Sequence, residues 1–145
     1  RRAVDGMPRV NRLTDIYNAI SVLHLVPLGG EDLDHYEGFA PLVRATGTEP
    51  FDAASAGDVV IENPEVGEVV WRDDHGVTCR RWNWRQGVRT RLTDDTTSAL
   101  FILDALESMG DDQLDAALAT LAGHLSTLGP EVTCTSRVIG REPQG

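Results

Sequence analysis

Two runs of strand-forming residues, Glu68–Arg72 and Val77–Trp84, are separated by only four residues, Asp73-Asp74-His75-Gly76. So short a connection between two such runs leaves one local outcome, an antiparallel hairpin with Gly76 where a positive φ is wanted. His75, at the tip, is expected to be exposed and chemically idle. The second arm runs on as Val77-Thr-Cys-Arg-Arg-Trp-Asn-Trp-Arg-Gln-Gly87, which holds two of the three tryptophans. With a period of two, Arg81, Asn83 and Arg85 point one way while Arg80, Trp82, Trp84 and Gln86 point the other. The plain expectation is a strand that buries its tryptophans and solvates its arginines.

Before the hairpin, Asn11 is a good N-cap for a helix over roughly 12–24, where Leu13, Ile16, Tyr17, Ile20 and Leu23 recur at helical spacing. Asn18 falls off that stripe and reads as a surface amide. Pro27 ends the segment, and Gly29-Gly30 reads as a tight turn before the acidic Glu31-Asp32-Leu33-Asp34. Leu42–Ala45 reads as a short strand, residues 46–57 as loop, and Val59–Ile61 as an apolar strand core stopped by Asn63-Pro64. After the hairpin, Ser98–Leu106 fits a buried strand or the start of a helix. Asp111 or Asp112 can cap a helix whose Leu114, Ala117, Leu118, Leu121, Leu125 and Leu128 share one face, with Gly129-Pro130 as its stop. A last strand is possible near Val132–Val138.

The chain has 145 residues, which suits one domain with a sizeable core. No apolar run approaches the roughly 18 residues of a membrane span, so no membrane association is expected. Cys79 and Cys134 sit in no metal-ligand spacing and the four histidines are scattered. No metal and no cofactor are expected, and a reducing cytoplasm is the default compartment. The net charge is −10, and every basic residue is arginine. Non-specific binding to nucleic acid, which neutralises phosphates, is thereby disfavoured. Any such contact has to be local, through the arginines between Arg72 and Arg91, with Arg1, Arg2, Arg9 and Arg12 as further candidates. Since residue 1 is an arginine, an N-terminal part beyond it is expected.

The segment Asp15-Ile-Tyr-Asn-Ala-Ile-Ser, followed by Val26-Pro-Leu-Gly-Gly-Glu-Asp32, resembles the B3/B4 domain of the bacterial phenylalanyl-tRNA synthetase β subunit. That domain carries a Thr-Asn-Tyr helix and a Gly-Gln-Pro-Met-His-Ala-Phe-Asp loop. With Pro27 on the family's proline, Asn18 falls on its asparagine and Asp32 on its aspartate. Trp82-Asn-Trp-Arg-Gln-Gly87 takes the place of a Gly-Val-Met-Gly-Gly turn, and Asp95-Thr96 matches an Asp-Thr pair. Gly-Gly-Glu-Asp-Leu-Asp, Val-Val-Trp-Arg-Asp-Asp and Cys-Arg-Arg-Trp-Asn-Trp-Arg-Gln look like stand-alone B3/B4-domain proteins. The similarity spans roughly residues 10–125.

The resemblance implies an α+β fold, with mixed β-sheets flanked by helices, and makes 98–106 a strand. In the synthetase this domain hydrolyses mischarged aminoacyl-tRNA, with a positioned water and no protein nucleophile. The positions implied for catalysis are Asn18, Gly29 and Gly30. Those implied for substrate binding are Tyr17, Glu31, Asp32, Trp82, Asn83, Trp84 and Arg85, with Arg81 and Arg89 as further phosphate contacts. Glu31, Asp32 or Asp34 would hold an α-amino group or activate water. The chain is expected to bind aminoacyl-tRNA and to hydrolyse mischarged species in trans, with tRNA or aminoacyl-tRNA as partner. The alternative is a non-catalytic module for tRNA ends, an amino acid or a nucleotide. A third reading is a structural or partner-binding domain, whose sign would be an exposed Trp82/Trp84 patch.

The chain also departs from the pattern. Gly29 replaces the family's histidine, the strand glutamate falls near Ile102 or Leu103, and Tyr17 stands where the helix has threonine. A site accepts or rejects a hydroxyl by what it can hydrogen-bond, so selection of tyrosine over phenylalanine does not carry over. The slim glycine-rich turn has become Trp-Asn-Trp-Arg, so the pocket is expected to be remodelled or partly filled.

Overall fold

A computed structural model describes residues 6–140. The elements run α1 (Arg12–His24), β1 (Leu28–Asp32), a 3-10 turn at Leu33–His35, β2 (Leu42–Arg44), β3 (Phe51–Ser55) and β4 (Asp58–Glu62). Then come β5 (Val69–Arg72), β6 (Val77–Arg80), β7 (Arg85–Gln86), β8 (Ala99–Leu103) and α2 (Asp111–Ser126). The fold is α+β: one six-stranded sheet in the order β2-β5-β6-β3-β4, with β7 beside β6, and a separate antiparallel ribbon of β1 and β8.

α1 packs on β1 of the ribbon, and α2 packs on α1. Asn11 caps α1 by accepting the Thr14 N–H at 2.9 Å, and its amide reaches the Leu92 carbonyl at 2.8 Å. Tyr17 and Ile20 of α1, Leu121 and Leu125 of α2, Leu28 and Leu92 form one apolar core. Leu23 falls outside it and is exposed, one residue before the helix ends at His24 with a left-handed Leu25 as C-cap. Gly110, rather than Asp111 or Asp112, caps α2, and the two acids occupy its first turn, where they complement the helix dipole. A second core, of Ala45, Phe51, Ala53, Val70 and Val77, belongs to the large sheet. Among the described residues no helix is long and apolar enough to cross a membrane.

The hairpin of β5 and β6 forms, with Trp71 opposite Cys79, but Gly76 does not take the expected positive φ; glycine is needed there because a Cβ would meet the Pro50 carbonyl. The 98–106 run supplies β8. Residues 51–55, expected as loop, are a strand. Ala56 and Gly57 both take positive φ, the two-residue turn that joins β3 to β4 in register. Val59–Ile61 form a strand but not a core, since β4 lies at the sheet edge and is exposed. Near Val132–Val138 there is no strand.

Gly29-Gly30 is not a turn. It is the middle of β1, with Gly29 paired to Ile102 and Gly30 to Phe101. The strand is buried at every position because it is covered on both faces. A Cβ on Gly30 would meet Leu92 and the Phe101 ring on the helix side, and one on Gly29 would meet Asn83 and Gln86 on the hairpin side. Close approach, not positive φ, requires glycine here.

Candidate functional site

The candidate site lies where β1 meets the β6–β7 hairpin. Strand alternation ends at Arg80. Arg81 and Trp82 both have left-handed backbones, at φ 52° and 64°, and residues 81–84 fold into a turn. The expected facing of this segment is therefore wrong, and the burial is inverted: Arg80 is buried, while Trp82 is 55% exposed and Trp84 74% exposed. The Arg81 guanidinium lies over the Trp84 ring, 5.4 Å from its centroid.

The inversion has an electrostatic cause. Arg80 donates to Glu68 from two nitrogens, at 2.9 and 2.7 Å, and to Glu62 at 3.0 Å. Arg85 grips Glu62 in a fork of 2.5 and 2.8 Å. Both guanidiniums also stand over Phe51, which is fully buried. A fork of this kind satisfies a buried arginine in a way no ammonium does. The hydrogen bonds of Arg80, outweighing burial, hold the Glu68 carboxyl at about 2. Arg85 does the same in direction for Glu62.

Arg89 is committed too. It forks onto the buried Asp73 at 2.9 and 2.8 Å, and Asp73 also accepts the Glu37 N–H at 2.8 Å and the His75 N–H at 3.0 Å. Asp73 therefore shapes the very turn it precedes. His75 is exposed and 3.3 Å from Glu37. Of the arginines expected to meet phosphate, Arg85 and Arg89 are held by carboxylates and Arg81 stays at the surface. Arg1 and Arg2 lie outside the described residues.

On the other side of the seam, Glu31 is buried and accepts hydrogen bonds from the hydroxyls of Tyr36, Thr90 at 3.1 Å and Thr78 at 3.3 Å. Burial pushes its carboxyl above the usual range, against the pull of those hydroxyls. Asp32 is also buried, on the opposite face, but Thr96 at 2.7 Å, the Asp34 N–H and His35 outweigh that burial and hold it low. The pairing of Asp32 with Thr96 gives this Asp-Thr pair a structural job, fixing the 3-10 turn to the loop before β8. Asp34 is exposed and takes the Thr97 hydroxyl at 3.0 Å.

Asn83 reaches from the turn to the Ile102 carbonyl at 2.9 Å and covers Gly29. Asp104, half-buried beside Asn83, has its carboxyl raised by burial against the Asn83 hydrogen bond. Gly29, Glu31, Asn83 and Gln86 thus come together, with Trp82 and Trp84 projecting outward from the same turn. Tyr17 packs edge-on to Phe101, with centroids 6.2 Å apart, on the helix side of the ribbon. Asn18 is half-buried on α1, and no hydrogen bond among the described residues joins it to Gly29, Gly30 or the turn. A groove of about 440 Å³ opens elsewhere, between the helices, lined by Arg12, Asp15, Ile16, Ile20, His124 and Leu128.

Glu62, Glu68, Tyr36, Thr78, Thr90 and Asp104 carry much of this chemistry and have no motif of their own. The one signal for the acids is the clustering of arginines between Arg72 and Arg91, since buried guanidiniums need carboxylates. The family model described as B3/4 domain matches residues 2–125. No curated protein matches the chain.

Proposed function

The chain belongs to the B3/4 domain family, and from that premise we propose that it is a binding module for the 3′ end of a tRNA, charged or uncharged, that leaves the ester intact. The observation that carries this reading is the turn at 81–84. It displays two indoles, 55% and 74% exposed, and sets the Arg81 guanidinium 5.4 Å from the Trp84 centroid. Exposed aromatic faces beside a cation suit unstacked bases at a single-stranded end, each stack being worth about 1–3 kcal/mol. An exposed Trp82/Trp84 patch alone would equally suit a protein partner; the Arg81 cation over Trp84 is what favours bases.

Binding is favoured over hydrolysis by what fills the seam. The family's histidine position is Gly29, and the Asn83 amide covers it. Asn18 and the Gly29-Gly30 pair, the implied catalytic positions, are not joined by any described hydrogen bond. With Arg85 and Arg89 bound to carboxylates, recognition rests on stacking more than on phosphate contacts.

The test is a tryptophan-fluorescence titration with an unpaired acceptor-end RNA and with aminoacyl-tRNA, alongside a measurement of ester lifetime. Saturable quenching is expected, weakened at least tenfold by Trp84→Ala (about 1.4 kcal/mol), with the ester as long-lived as in buffer. The salt slope should be shallow, close to the roughly 0.7 expected of a single phosphate on a single strand. Catalytic ester loss from mischarged aminoacyl-tRNA would overturn the binding-only reading, and no quenching at moderate salt would sink the proposal altogether.

A further inference from the structure

β4 closes one edge of the large sheet, with β3 as its neighbour on one side. The orientation of its backbone follows from a bond made elsewhere. Asp52 of β3 gives its carbonyl to the Val88 N–H at 2.9 Å, on the side away from β4. A strand residue sends its N–H and C=O to the same side, so Asp52 and Ile61, opposite each other, are a non-hydrogen-bonded pair. Ile61 therefore turns its N–H and C=O to the open edge, and Val59, two residues away, does the same. No backbone partner meets either edge among the described residues.

The side chains repeat the message. Val59 is 58% exposed, Val60 38% and Ile61 66%. Natural edges are guarded by lysine, proline, bulges or inward charges, and these three β-branched residues carry none of those guards. The acids sit at the strand ends. Glu62 already holds Arg80 and Arg85, whereas Asp58 has no cation beside it among the described residues.

We infer that β4 is a docking edge for an extended segment of a partner protein, with apolar side chains at alternate positions and a basic residue facing Asp58, which adds as a further strand. Charge selects this occupant over a second copy of the chain. Two copies paired antiparallel about Val60 would set Asp58 of each beside a Glu62 whose arginines are already engaged, so Asp58 gains no free cation, and the two molecules each carry a net charge of −10. A basic segment reverses the sign of that term. One strand buries less than the roughly 1,200 Å² of a lasting interface, so the contact is a transient one built on main-chain bonds. The inference does not depend on the RNA reading.

The experiment uses the whole chain, a blocked peptide Arg-Thr-Val-Thr-Val-Thr-Arg and its Glu-ended counterpart, followed by amide NMR. Saturable shifts centred on Val59–Glu62 are expected with the basic peptide, and at least tenfold weaker binding of the acidic one. Ile61→Pro removes an N–H that points to solvent and spares the β3–β4 ladder, so its urea midpoint should stay near wild type while peptide binding drops at least tenfold. The chain alone should sediment as a single copy at the concentration used for the spectra. No shifts with the basic peptide, equal binding of the acidic one, unchanged binding by Ile61→Pro in a folded variant, or self-association that Ile61→Pro removes would each overturn the inference.

Discussion

The amide of Asn83 stands where a side chain on Gly29 would have to go: a Cβ on Gly29 would collide with Asn83 Oδ1 and lie 2.6 Å from Gln86 Nε2. Both obstructing atoms are side-chain ends, so Gly29→Ala should fold by swinging Asn83 off the Ile102 carbonyl. The expected loss is about 0.5–1.5 kcal/mol, the net worth of that hydrogen bond. In an Asn83→Ala background the same substitution should cost clearly less, giving a coupling energy measurable in a double-mutant cycle. Additive effects would contradict the geometry.

Stability should depend on pH in two opposed ways. Glu68 is held at about 2, foremost by Arg80, so the stability it gives is complete above the unfolded carboxylate range near 4.3 and is lost as pH falls toward 2. Glu31 is raised by burial, so it opposes folding increasingly as pH rises from the unfolded value through its own folded one. Glu31→Gln should therefore gain on wild type in urea midpoint at pH 7.5 relative to pH 4. An equal difference at both pH values would show that Glu31 is not carrying a burial penalty.

The turn should show a trade between stability and binding. Trp82 has φ 64°, a conformation costing a non-glycine residue about 1–3 kcal/mol. Trp82→Gly and Trp82→Ala both delete the exposed indole, but only glycine is at home in that conformation. Trp82→Gly should exceed Trp82→Ala by about 1 kcal/mol in urea unfolding, while both lose quenching by the acceptor-end RNA. Equal stabilities would mean that the left-handed backbone is not under strain.

What could be read from the residues was local. Asn11 and the stripe from Leu13 to Ile20 define α1, Asp73–Gly76 defines the hairpin, and the leucines after Gly110 define α2, because each signal lies within a few residues of its effect. The burial of Arg80 could not be read that way. Its partners, Glu68 and Glu62, lie 12 and 18 residues away, and the alternation that would have buried Trp82 and Trp84 breaks at two left-handed residues. Gly29-Gly30 misled for a related reason: glycine marks a turn and a strand under close cover alike, and Asn83 and Phe101 decide between them. The family motifs fall on both sides of the seam, yet Tyr36, Thr78 and Thr90 around Glu31 show themselves only in three dimensions.

The two sheets also differ in how far apart their pieces lie along the chain. Every strand of the large sheet comes from residues 42–86, whereas the ribbon joins Leu28 to Leu103 across the whole of that span. Loop closure costs more for distant ends, and contacts between them slow folding. β1 also bonds on its other edge to the segment just after the hairpin, through the Asp32 N–H to the Thr90 carbonyl at 2.8 Å. The large sheet can thus close on contacts within one contiguous stretch, whereas the ribbon and the helices that share its core tie the two flanks of the chain together.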